Sequence, residues 1–432
     1  MSLAAKLPYD HAYAGGFPGL GAQPLPQDAD CLDYLGRMAV ADGAGVEVSV
    51  ANAVDAFISG AKDAGVWDSI RASCVLAGAR TLAGALVPLR DYGPELWTEQ
   101  SPEIVNDASS CGSWDAATLT MTNSCVGSSG AHPLFQFNMG LSAAKSYTVL
   151  GRLSGDTSHI HSVWLGTATQ LSYDKATGVI SGTATPSGAA SSKLLFYYNT
   201  TAAPTAVTIE SLSVREVIAA PTNVANGFVE GDYSRTAGLT GDGATTYLDS
   251  GRNNNADPQD SVHHSIWVSA QGLAVSVPIG AGFNLTGATR CAVSFGTSVV
   301  TPRIRESAAQ PGISDAPLSG SFFGYRRSAA AASLTRINGS DYARTTTSEV
   351  PFDGNVFVFA DNNNGSPTAY TGATLAFYSI GTSLSLEDLD TSVTDLMNRI
   401  RFALVTGENP AGLDPATIDY VLRGYDAGGT LA

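Results

Sequence analysis

The sequence predicts a mainly β protein with a short helical unit near its start and a helix near its end. Three observations carry this reading. Ser, Thr, Gly and Ala dominate, while charged residues make up only 14%. From residue 91 onwards, short alternating segments are separated by turn residues, as in half-buried strands. Apolar residues at helical spacing are concentrated in residues 28–90 and in a stretch that begins at Leu386. At 432 residues the chain has room for about three domains. A hydrophobic fraction of 44% argues against global disorder.

Residues 1–27 carry Pro8, Pro18, Pro24 and Pro26 with Gly15, Gly16, Gly19 and Gly21. Such a density prevents helix or central strand. The segment is either a loose tail or an extended arm whose Tyr9, Tyr13 and Phe17 dock on a partner subunit. Residues 28–90 read as a helical attachment unit. Cys31, Tyr34, Leu35 and Met38 follow one helix face, with Asp28 or Asp30 as N-cap. A turn at Asp42–Gly45 separates them from Val54, Phe57, Ile58 and Ala61, and Ile70–Ala77 is expected to begin a third helix. A core of this size is thin, so the unit must cover another domain or a neighbouring subunit.

Residues 91–218 alternate at Tyr147–Leu153, Ser162–Leu165, Leu194–Tyr198 and Ala206–Val217. Strands at this spacing predict one jelly-roll-like β-sandwich. Residues 219–405 form a second, larger β-domain. Its opening stretch, Leu239–Asp260, joins a Gly-Asp-Gly turn, a strand alternating through Tyr247, Leu248 and Asp249, and a polar loop from Asn253. This reads as a first hairpin. Further strands are expected at Ser265–Ser269, Cys291–Phe295, Phe322–Arg326, Val356–Ala360 and Thr374–Ile380. The domain ends in a helix whose Leu386, Leu389, Val393, Leu396 and Ile400 share a face, with Ser385 and Asp388 as a capping box. That face either lies on its own sheet or forms an oligomerising coil. Residues 406–432 are a tail with a short helix around Pro415–Leu422.

A net charge of −16 disfavours nucleic acid and anionic membrane. Arg326-Arg327 is the densest basic pair and reads as a solvated strand face. The five cysteines are widely spaced, which is no disulfide framework, although Cys111 and Cys125 could pair. Cys31 and Cys74 read as buried thiols on apolar helical faces. No signal peptide or transmembrane span is visible.

The sequence contains no paired-carboxylate strand of the kind glucanases use, no nucleophile elbow, no zinc-protease helix motif and no phosphate loop. A non-enzymatic role is therefore expected. His159 and His161 would share a strand face, a spacing that could ligate a metal given a third ligand. The Asn/Asp loops are better candidates. Asn253, Asn254 and Asp257 in one, with Asn362 and Asn363 in the other, offer oxygens to Ca²⁺ or partners to sugar hydroxyls. Tyr247, Trp267 and Tyr370 could supply stacking faces. Ordinary turn chemistry explains the same residue types.

The segments CVLAGARTLAGALVPL (74–89), Ala220–Asn223, 231–260, Gly354–Ala360 and Phe377–Leu384 resemble a group of tailed-bacteriophage virion structural proteins. That group is similar to concanavalin A-like (laminin-G-like) lectin domains preceded by a short helical segment. The ending TIESLSVREV (208–217) resembles the last strand of carbohydrate-binding-module β-sandwiches, so residues 91–218 read as an inserted module. The resemblance implies a virion protein, assembled in the host bacterial cytoplasm and exposed on a capsid or tail. The arm and helical unit would attach it, the β-domains would bind host surface glycans, and copies would associate as a homo-oligomer. A cement protein without ligand is the alternative, and a polysaccharide-degrading enzyme the third.

Overall fold

The alternation in the sequence resolves into four large sheets, of five, six, nine and eight strands. The computed structural model describes residues 9–10, 26, 28–90, 96–97, 101–105, 112–124, 134–198, 205–217, 223–272, 275–282, 285–294, 299–306, 311–314, 319–407, 411 and 413–426. The chain divides into two units: Asp91–Ala220, and Met1–Arg90 together with Pro221–Ala432.

The larger unit is layered. Helix α1 (Ala29–Asp42) starts at Asp28, whose carboxylate accepts from the amides of Asp30 and Cys31. It stops at Gly43, where φ is +67°, a conformation that costs glycine little. Helix α2 (Val48–Asp63) follows. After the one-turn α3 (Leu82–Ala85) and most of the β-structure comes α4 (Leu386–Thr406), capped by Ser385 accepting from the Asp388 amide. The chain then forms α5 (Pro415–Asp426), whose Ile418 and Leu422 pack on Phe402. The apolar faces of α1, α2 and α4 share one core with Trp267, Phe322 and Phe377 from the eight-stranded sheet. All five residues of the α4 stripe are buried there, so that face is spent inside the chain rather than on a coiled coil. Arg336 of the same sheet donates from Nε to Asp390 of α4 at 2.9 Å and pins the helix.

The other face of the eight-stranded sheet meets the nine-stranded sheet. Ile266, Phe323 and Tyr378 from one interdigitate with Leu248, Ile279, Val293 and Val358 from the other. These alternating inner faces make a sandwich. One sheet of this unit is thus covered on both sides. Among the described residues no helix belongs to the outer face of the nine-stranded sheet.

Three expectations are corrected. Ile70–Val75 is a strand, not a helix, and pairs antiparallel with Thr374–Gly381. Five of its six residues are buried, so it shows an apolar run without alternation, which periodicity cannot separate from helix. Cys74 is accordingly on a strand, with its thiol on the Ala85 carbonyl at 2.9 Å and pushed up in pKa by burial. Second, Tyr247–Asn253 is not half of a hairpin. It pairs with Val224–Asn226 and Asn355–Val358 in the nine-stranded sheet, while the next strand, Val262–Ala270, belongs to the other sheet. The Asn/Asp loop crosses between layers. Third, Arg327 is not solvated. It is fully buried and donates to the carbonyls of Ile304 at 2.9 Å and Thr346 at 2.7 Å.

The smaller unit is a sandwich of the five- and six-stranded sheets around Phe135, Phe137, Val149, Ile180, Phe196 and Val214. Cys111 and Cys125, and nearly all of the N-terminal arm, lie outside the described residues. Within that arm Tyr9–Asp10 pairs in parallel with Val46–Glu47.

The two ends of the larger unit's interruption meet. Asn223 Nδ2 donates to the Leu86 carbonyl at 2.8 Å. Replacing residues 91–220 by a short Gly/Ser linker is therefore expected to leave one cooperative unfolding transition, shifted by no more than about 1 kcal/mol. Arg90 must be kept, because it is fully buried over the Trp67 ring and donates to the Ile70 carbonyl. Loss of cooperativity in urea denaturation would show that the larger unit depends on the smaller.

Candidate functional site

The eight residues singled out for glycan contact fall into two groups. Asn254, Asp257, Trp267 and Asn362 are buried. Asn254 Nδ2 donates to the Gly287 carbonyl at 3.2 Å, and the Asn254 backbone carbonyl accepts from Arg305. Asp257 is held by Arg252 at 2.6 Å. Asn362 bridges the Asn355 carbonyl and the Gly365 amide, at 2.7 and 2.6 Å. Trp267 lies in the core under the helices. These four side chains hold loops and layers together and present no face to a ligand. In sequence, loop asparagines look alike whether they turn out toward a sugar or Ca²⁺ or in toward the fold.

Tyr247, Asn253, Asn363 and Tyr370 remain partly exposed. Asn253 is itself engaged, donating to Asp353 at 2.8 Å and accepting from the Asn255 amide. Tyr247 stands on the outer face of the nine-stranded sheet, its ring 4.8 Å from that of Phe357. Burial raises the Tyr370 hydroxyl pKa, and the charges of Tyr247 and Asp242 add to it. Asp249 accepts from Asn355 Nδ2 at 3.1 Å. At Asp242, burial opposes ionisation. Hydrogen bonds from Thr245, Thr246 and Ala244 outweigh it and hold the carboxyl well below the usual range. The Gly-Asp-Gly turn is thus locked by its own aspartate, which sets the start of the Tyr247 strand.

His159 is half-buried and His161 exposed, and among the described residues no three His, Cys, Asp or Glu side chains converge on a cation. His263 and His264 are both fully buried. His263 spans the Thr382 carbonyl at 2.6 Å and Ser379 Oγ at 2.9 Å, and Ser379 in turn contacts Ser265 at 2.7 Å. His264 lies beside the Tyr325 hydroxyl at 3.3 Å.

Sequence reasoning did not single out Trp164 and Tyr197 in the smaller unit. Both lie on neighbouring strands, ring centroids 6.1 Å apart, and neither belongs to a core cluster. The signal was available: Val163 and Leu165 point inward, so Trp164 between them points out.

No protein-family profile matches the sequence and no curated relative was found. Among solved structures, the chain is similar to domains LG4-5 of the mouse laminin α1 chain, at 9% identity and a TM-score of 0.24, covering 67% of this chain and 93% of that one. It is also similar to the CBM40 of Ruminococcus gnavus IT-sialidase bound to α2,3 sialyllactose, at 11% identity and a TM-score of 0.23, covering 32% of this chain and 84% of that one. A third match is Trypanosoma rangeli sialidase in complex with sialic acid, at 12% identity and a TM-score of 0.29, covering 46% of this chain and 42% of that one. The chain therefore spans well under two thirds of that sialidase. At such scores the matches carry no argument about function, and the β-sandwich class stands on the chain's own sheets.

Proposed function

We propose that this protein is a non-enzymatic virion surface protein that binds host glycans. The observation that carries glycan binding is the open outer face of the nine-stranded sheet, with Tyr247 beside the Asp249–Asn355 pair. A pyranose ring has an apolar C–H face and a rim of hydroxyls. Tyrosine rings match the first, and a carboxylate with a carboxamide matches the second. The opposite sheet has no comparable face, because the helices cover it. The virion placement rests on the sequence resemblance in segments 74–89 and 231–260. The helical layer, by this reading, attaches the protein to capsid or tail, and many copies turn weak sites into useful avidity.

Glycan-array binding by the full chain tests the ligand. Substituting Tyr247→Ala together with Tyr370→Ala is expected to weaken retention at least about tenfold, the equivalent of ~1.4 kcal/mol. Unchanged retention removes this face from the reading. Immunogold labelling of particles tests the placement, and a protein hidden between capsid subunits would sink host adsorption.

A further inference from the structure

We infer that the larger unit binds one structural water molecule between its two sheets, held by Asn254, His264, Thr289 and Arg305. This rests neither on the glycan reading nor on the virion reading. All four side chains are buried. Each carries one polar atom with no hydrogen-bond partner among the described residues: Asn254 Oδ1, His264 Nε2, Thr289 Oγ1 and Arg305 Nε. A buried polar atom without a partner is costly to a fold, and such atoms call for a bound molecule.

The fold gathers three of the four at one end of the nine-stranded sheet. Asn254 Nδ2 donates to the Gly287 carbonyl, two residues before Thr289. The Arg305 amide donates to the carbonyl of Ala288, the residue just before Thr289, and its guanidinium donates to the Asn254 backbone carbonyl. Thr289 stands opposite Ile304, the residue just before Arg305. It shares a strand face with Val293, four residues on, which lies in the core between the sheets. His264 faces this end from the eight-stranded sheet, on the same side of its strand as the core residue Ile266. Its partner across the ladder, Tyr325, reaches over to the Ile279 carbonyl at 3.4 Å. Arg327, two residues along from Tyr325, donates to the Ile304 carbonyl. The His264 end of one sheet thus meets the Thr289 end of the other.

The donor and acceptor roles identify the ligand. Arg305 Nε only donates. Asn254 Oδ1 only accepts, and the carboxamide is kept from flipping because Nδ2 is engaged by the Gly287 and Phe352 carbonyls. A carbonyl only accepts, so the Tyr325 hydroxyl donates to Ile279 and accepts from His264 Nδ1–H at 3.3 Å. That tautomer leaves His264 Nε2 as an acceptor. Thr289 Oγ1 supplies the second donor. Two donors and two acceptors are the complement of a water molecule, which accepts two hydrogen bonds and donates two. An anion would be repelled by Asn254 Oδ1 and the bare Nε2. A metal cation would be repelled by the Arg305 guanidinium, which stays charged at neutral pH. An apolar molecule would satisfy none of the four atoms. The water ties the loop that crosses between the sheets to a strand in each.

The test on the full chain reads a sign. Valine has the shape of threonine without its hydroxyl. With the water in place, Thr289→Val removes one of its four partners, and the urea midpoint at pH 7 should fall by roughly 0.3 M. If Oγ1 meets nothing, the same change only deletes a buried polar atom, and the midpoint should rise. Relaxation dispersion of solvent ¹⁷O gives a second readout, because it registers whole waters held for longer than the protein tumbles. Thr289→Ile places an ethyl arm where the hydroxyl stood and should lower the dispersion amplitude by one water relative to wild type. The inference is overturned by a raised or unchanged midpoint in Thr289→Val, or by equal amplitudes in wild type and Thr289→Ile. A saturable dependence of the wild-type midpoint on chloride at constant ionic strength would mark an anion instead and overturn it as well.

Discussion

Acidification from pH 6.5 to 4 is expected to remove about 3 kcal/mol from the stability of the larger unit through His263 alone. Burial lowers His263 from 6.5 to about 4, against a smaller opposing effect of its hydrogen bond to the Thr382 carbonyl. Asp257 and Arg252 act on it in opposite directions. The sign follows from proton counting. Between the two values the unfolded chain binds the proton and the fold does not, so stability rises with pH. Above 6.5 neither state is protonated and the effect vanishes. Below 4 both are, and the loss is complete. His264 is lowered well below its ordinary value, first by burial and then by His263, and acts in the same direction. Urea midpoints at pH 7, 5.5 and 4 check this. Carboxylates also titrate near the lower end, but they contribute alike to wild type and to His263→Gln, so the difference between the two isolates the histidine. His263→Gln should lose about 3 kcal/mol less than wild type over this range. Parallel losses in both proteins would show that His263 is not held neutral.

This sensitivity was not legible in the sequence. His263 and His264 are adjacent polar residues that a strand sends to opposite faces, and one of the two would ordinarily meet water. Neither does, because the helices cover one face of this sheet and the second sheet covers the other. The same double coverage hides Ile70–Val75 from a periodicity reading. Alternation was informative wherever one face is polar, as at Tyr147–Gly155, Lys193–Tyr198 and Thr205–Glu216, and there strands were placed to within a few residues. The apolar stripe of α4 was legible for the same reason. At the candidate sites, residue type was readable and direction was not. Tyr247 faces out while Asn254, Asp257 and Asn362 turn in. Asn254 is held by Gly287 and Arg305, which are distant in sequence, and Asp257 and Asn362 by the nearby Arg252 and Asn355, pairings that residue type alone does not announce.

Arg305→Ala is expected to destabilise the larger unit by about 3–5 kcal/mol, measured as a shift of the urea midpoint at pH 7. Arg305 has no exposed surface. Burial lowers its pKa to about 10, so it stays charged at neutral pH. Its guanidinium donates to the Asn254 carbonyl at 2.5 Å and to the Pro258 carbonyl, two points on the loop that crosses between the sheets. Asp257, in the same loop, favours the charge and is itself neutralised by Arg252. Truncation therefore strands the buried Asn254 carbonyl, leaves the Pro258 carbonyl with the Ser261 amide alone, and opens a cavity where the guanidinium stood. The backbone of Arg305 adds a separate term. Its φ is +54°, in the left-handed region, and is fixed by its amide donating to Ala288 and its carbonyl accepting from Glu349. Arg305→Gly deletes the same guanidinium but relieves that conformation, so it should be less destabilising than Arg305→Ala by roughly 1 kcal/mol. The pair of variants separates the two causes. Equal stability of Ala and Gly would assign the whole effect to the side chain. A wild-type midpoint for both would mean that the loop holds its crossing without Arg305, and that Asn254 and Asp257 are free to turn outward after all.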